Sequence, residues 1–107
     1  MAPMRRLVVV FAALLPACGP TPPRTFDSPE PAARIDAIVD AAATEDKASV
    51  PGLVRMLESD DPATRLVAIR TLERMTGTTL GYDHAANQMD RDEAVVRWDV
   101  YASEHPR

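Results

Sequence analysis

Apolar residues recur at the spacing of one helical face in four separate stretches of this chain, and that periodicity constrains the fold more than any other feature. Ile35, Ile38, Val39 and Ala42 repeat at i, i+3, i+4 and i+7, and Val50, Leu53, Val54 and Leu57 do the same. Ala68, Ile69, Leu72 and Met75 supply a third face, and Ala94, Val95, Trp98, Tyr101 and Ala102 a fourth. No stretch alternates apolar and polar residues with β-branched and aromatic enrichment, so no sheet is expected. The expected fold class is all-α, with two tandem antiparallel hairpins.

Helix boundaries follow from capping chemistry. The first helix is expected over Pro29–Ala43, capped by Ser28 with Pro29 at the first position, and with Ala37 among the residues facing outward or flanking the stripe. The second is expected over Lys47–Glu58 with Asp46 as cap, or from Pro51 onward. Asp61 caps the third, Pro62 opens it, and Gly77 closes it in a left-handed conformation. The fourth is expected over Arg91–Ser103, capped by Asp90, with Glu93 and Arg97 four apart as a favourable pair. The short connection Thr44-Glu45-Asp46 folds the first two helices back on each other.

Length and charge narrow the function classes. The chain has 107 residues, 12 Lys plus Arg against 16 Asp plus Glu, and one cysteine. That suits one small domain. A nucleic-acid surface needs clustered cations, and this balance argues against one. A single cysteine forms no internal disulfide and no thiolate metal cage.

Ahead of the helices, Arg5 and Arg6 precede the uninterrupted apolar run Leu7–Leu15, which ends in Leu15-Pro16-Ala17-Cys18. The run is too short to span a bilayer, which takes ~20 apolar residues, but it suits the core of a secretory signal. Met1 to Cys18 resembles a bacterial lipoprotein signal, with Pro16 where that family usually has a small Ala, Ser or Thr. The resemblance implies cleavage between Ala17 and Cys18, a diacylglyceryl thioether on Cys18, and acylation of the new amino group. Gly19, in place of Asp, leans the expectation toward the outer membrane facing the periplasm, in preference to the inner membrane. The alternative is an ordinary secretory signal cleaved near Ala17. Gly19 to Pro31 holds five of the ten prolines and reads as a spacer or a disordered segment, with Phe26 as a candidate staple onto the first helix. The expected organisation is a signal at 1–17, a lipidated tether at 18–31, and a helical domain at 32–105 with an insertion at 78–89.

The two halves of the helical part repeat. Ala32, Arg34, Ala37 and Ile38 recur in register as Ala63, Arg65, Ala68 and Ile69, an offset of 31 residues. The stretch Val50 to Gly77 resembles a HEAT repeat: Val50 to Leu57 ends a helix, Asp60-Asp61-Pro62 makes the turn, and Arg65, Ala68 and Leu72 follow. The resemblance implies a helical solenoid fragment that binds other proteins. Two hairpins are few for such an array, since three or more usually share a continuous core.

Chemical candidates fall on the insertion and the last helix. Tyr82, Asp83 and His84 place a phenol, a carboxylate and an imidazole side by side. No third ligand or base with convergent spacing accompanies them, so neither catalysis nor a metal site is expected. The competing reading makes Gly81 a turn, Asp83 a cap for the backbone two residues on, and Tyr82 a cover for the core's end. Trp98 and Tyr101 are either a bulky core cap or an anchor for a partner. The sequence thus points to a membrane-anchored lipoprotein presenting a helical module to a protein partner, with no cofactor beyond the lipid on Cys18 and no evident small-molecule substrate. The alternatives are an accessory subunit whose 78–89 loop completes a partner enzyme's site, and a structural envelope protein.

Overall fold

The computed structural model describes residues 23–106. They form α1 (Pro31–Thr44), a 3-10 turn (Lys47–Ser49), α2 (Val50–Met56), α3 (Pro62–Thr76) and α4 (Gln88–Glu104). Among the described residues there is no strand, and no helix is long and apolar enough to cross a membrane. The expected signal, Ala17 and Cys18 lie outside the described residues.

α3 forms as its local chemistry dictates. Asp61 Oδ2 accepts from the Thr64 backbone N–H at 3.0 Å and from the Thr64 hydroxyl at 2.6 Å. Pro62 opens the helix, and Gly77 closes it at φ 81°. The hydrogen bond donated by the Thr64 hydroxyl holds the Asp61 carboxyl below its ordinary value against an opposing effect of desolvation, with smaller help from the Thr64 and Ala63 backbone N–H groups. Asp46 caps the 3-10 turn by accepting from Ala48 N–H at 2.9 Å, and α2 continues from there.

α1 differs from expectation at its start. The capping position is Glu30 and Pro31 is the first helical proline, two residues later than Ser28 and Pro29. Ser28 is buried; its hydroxyl accepts from Glu30 N–H at 3.2 Å while its carbonyl accepts from Arg34 Nη1 at 3.0 Å. The first ladder bond runs from Arg34 N–H to the Glu30 carbonyl at 3.2 Å, so the helix starts after Ser28. The inward face also differs. Ala33, Ala37, Ile38 and Ala41 are buried, whereas Val39 is 52% exposed. Small side chains let α1 lie close against α3, and that requirement overrides the direction set by the larger Ile35 and Val39.

The closest approaches between helices run from α1 to α3 and from α2 to both α3 and α4. Corresponding helices of the two hairpins therefore stack in two layers. Ile38, Leu53, Leu57, Leu72 and Trp98 are fully or almost fully buried in the one core between them. Each is worth about 1.5–3 kcal/mol of transfer free energy.

The 31-residue repeat extends upstream into the turns. Arg65 Nη1 donates to the carbonyls of Ser59 and Asp60 at 2.9 and 3.2 Å, and Arg34 Nη1 donates to Ser28 and Pro29 at 3.0 and 3.5 Å. Ser59 Oγ accepts from Asp61 N–H at 3.2 Å, the same bond that Ser28 makes to Glu30. Phe26 stands where Leu57 stands one unit later, and it packs against the shared core. Its ring lies so close to Gly52 that a Cβ there would overlap it. Arg24 lies 3.8 Å from both Asp36 and Asp40, and Asp27 lies 3.7 Å from Arg55. Phe26 and Ser28 thus pack on the helices, and residues 18–22 of the expected tether lie outside the described residues.

Candidate functional site

The connection between α3 and α4 is shorter than the expected 78–89 insertion. Asn87 Oδ1 accepts from Asp90 N–H at 2.9 Å and Asn87 Nδ2 donates to the Asp90 carboxylate at 3.1 Å. That reciprocal pair starts α4 at Gln88, three residues before the expected Arg91, so Asp90 sits inside the first turn and does not cap it.

The loop is sharply folded. Leu80 and Gly81 take left-handed conformations, at φ 51° and 79°. The Thr78 and Thr79 hydroxyls accept from the Leu80 and Gly81 N–H groups at 3.1 and 3.3 Å. At Gly81 the left-handed φ is what favours glycine; the Arg97 guanidinium is the nearest group to where a Cβ would stand.

Four side chains fasten this loop to the helices. Trp98 Nε1 donates to the Thr79 carbonyl at 2.9 Å, and Arg97 Nε to the Leu80 carbonyl at 2.7 Å. Arg91 Nη1 donates to the Ala86 carbonyl at 2.6 Å. The Tyr82 hydroxyl donates to the Leu57 carbonyl at 2.7 Å, across the end of the core. Tyr82 is 4% exposed, and burial pushes its phenol above its ordinary value by disfavouring the phenolate. Arg97 is spent on the loop; the Glu93–Arg97 ion pair expected along α4 does not appear among the described ion pairs.

The remaining candidate residues are not brought into one site. Asp83 is exposed and accepts from Ala85 N–H at 2.9 Å, closing a local turn. His84 Nδ1 lies 3.8 Å from Asp83, beyond hydrogen-bond reach. Among the described residues no group of three or more His, Cys, Asp or Glu side chains could hold a metal ion. Trp98 is fully buried and meets Tyr101 edge to face, with ring centroids 5.4 Å apart. Tyr101 is half-buried; it stacks on His105 at 4.1 Å and, with Lys47, Val50, Met75 and Glu104, lines a recess of about 380 Å³. The arrangement can plug the end of a core and present a surface, and it offers no proton-transfer relay.

A family model described as HEAT repeats matches residues 23–103. The chain belongs to the HEAT-repeat family. No curated protein and no solved structure gives a significant match. The matched span of this HEAT protein begins with the Phe26 turn and ends within α4, so it takes in the docked upstream segment as well as both hairpins. HEAT repeats generally serve protein–protein contact and are typically non-catalytic.

Sequence reasoning missed one surface of the HEAT module. Met89, Val96 and Val100 stand exposed on α4, opposite its buried stripe. Their i, i+7, i+11 spacing was readable, but the better-populated face of Ala94, Val95 and Trp98 masked it.

Proposed function

We propose that this HEAT protein is a lipid-anchored component of the bacterial envelope that presents its two-hairpin module to a protein partner. The lipid anchor rests on one observation: the only cysteine follows Leu15-Pro16-Ala17 at the end of the apolar run Leu7–Leu15. Two or more acyl chains on Cys18 give stable membrane attachment where one chain gives a marginal one, since each buried methylene contributes about 0.8 kcal/mol. The outer membrane, facing the periplasm, is the favoured location because Asp is missing after Cys18. Family membership and the stacked helices support the partner-binding role. The isolated positions of Asp83 and His84 support a non-catalytic one.

Mass spectrometry of the purified full-length protein tests the anchor. Wild type is expected to begin at an acylated Cys18, and Cys18→Ser to retain its leader without acyl chains. Equal, unmodified amino-terminal peptides from both would refute it. Envelope crosslinking of the full-length protein tests the partner role: a discrete, saturable adduct is expected, and none would refute it.

A further inference from the structure

Among the described residues, four large hydrophobic side chains are exposed, and three of them lie on one strip of α4: Met89 at 73%, Val96 at 61% and Val100 at 49%. At 3.6 residues per turn the strip points directly away from buried Ala94, Val95 and Trp98. Core packing does not account for it. Helix propensity does not either, because an exposed valine is a poorer helix former than Ala, Leu, Lys or Glu. A row of apolar side chains along one exposed helix face is a candidate contact surface.

The flanks indicate what makes that contact. Asp92 and Asp99 border the strip on one side and Glu93 and Glu104 on the other, all exposed. The two arginines of α4 do not offset them. Arg91 lies on the inward side holding the Ala86 carbonyl, and Arg97 lies past Glu93 holding the Leu80 carbonyl.

We propose that the outward face of α4 is a docking strip for an amphipathic helix of another protein, whose apolar stripe is flanked by Lys and Arg. The proposal rests on the partner-binding reading above and gives that partner a chemistry. Such a helix seats its apolar residues on Met89, Val96 and Val100 and its cations between the two acidic rows. An anionic membrane surface meets four carboxylates and is repelled. A second copy is repelled as well: in an antiparallel α4 pair centred on Val96, Asp92 of one copy faces Asp99 of the other along their shared flank.

The test uses the full-length protein and two synthetic amphipathic peptides of about five helical turns. Both carry the same leucine stripe, one flanked by Lys and the other by Glu. The Lys-flanked peptide is expected to bind, and to bind more weakly as salt rises. Val96→Ser with Val100→Ser, both solvent-exposed and so neutral to folding, is expected to weaken it roughly tenfold or more. Asp92→Lys with Glu93→Lys is expected to weaken it similarly, and Glu73→Lys on α3 to leave it unchanged. Equal binding of the Glu-flanked peptide overturns the proposal, as does an equal loss in Glu73→Lys or no loss in the valine variant. Self-association lost in the valine variant, or binding to anionic phosphatidylglycerol vesicles lost in it, overturns it in favour of a second copy or a membrane. A crosslinked partner that is retained by the valine variant overturns this strip while leaving the partner-binding reading intact.

Discussion

Single side chains decide how this small core is closed. Tyr82 places a phenol in the interior whose only donor reaches the Leu57 carbonyl. Tyr82→Phe leaves that carbonyl unpaired and is expected to cost about 1–3 kcal/mol, read from urea midpoints. Burial raises the Tyr82 pKa, so the folded state favours the neutral phenol. The stabilising effect is complete below the unfolded value of 10.0 and disappears as pH climbs through the higher folded value. The wild type is therefore expected to lose stability above pH 10.0 through this group, a loss that Tyr82→Phe lacks. Asp61 works in the opposite direction. Its folded pKa is lowered, chiefly by the Thr64 hydroxyl, so its contribution is full above 3.8 and falls as pH drops through the folded value. Thermal melting of Asp61→Ala is expected to lie below that of wild type at neutral pH, with the gap closing below pH 3.8.

At the level of elements, what could be read in the sequence was the chemistry that stays local. Asp61, Pro62 and Gly77 mark the ends of α3 because each acts on backbone within one turn of itself. The start of α1 was not legible, because Ser28-Pro29 and Glu30-Pro31 offer the same signal twice. The helix begins at the second of them, with Glu30 at the capping position making no side-chain cap. Asp90 misled for a related reason: it is half of a reciprocal pair whose other half, Asn87, holds the cap. The fold of the 78–87 loop was beyond reach, since its fasteners join residues far apart in the chain. Phe26 and Gly52 show how such a contact can be tested. In wild type, Gly52→Ala drives a methyl into the Phe26 ring and is expected to destabilise the protein. With Phe26→Ala present the clash is gone, and the same change is expected to stabilise α2 by up to ~1 kcal/mol through helix propensity. A double-mutant cycle by chemical denaturation checks this reversal of sign.

The whole molecule is held by α2, which touches both helices of the second hairpin. Two hairpins with separate cores would melt separately; one cluster running from Ile38 to Trp98 predicts a single transition. Trp98 is the only tryptophan, so its fluorescence reports the α4 end while far-ultraviolet circular dichroism reports every helix. The two signals are expected to superimpose across a urea titration, and an earlier fluorescence midpoint would reveal a second hairpin that opens by itself. A short array of this kind gains from the upstream turn, which repeats the second seam at the start of the described residues.

The seam between units occurs twice, once at Phe26–Pro31 and again at Leu57–Pro62, with the same serine lock and arginine brace. The molecule is consequently a ruler with interchangeable joints. A second copy of residues 26–56, spliced in ahead of Leu57, would give each incoming group the neighbour it already knows. Its reach can thus grow in whole steps of 31 residues without redesign of the interior.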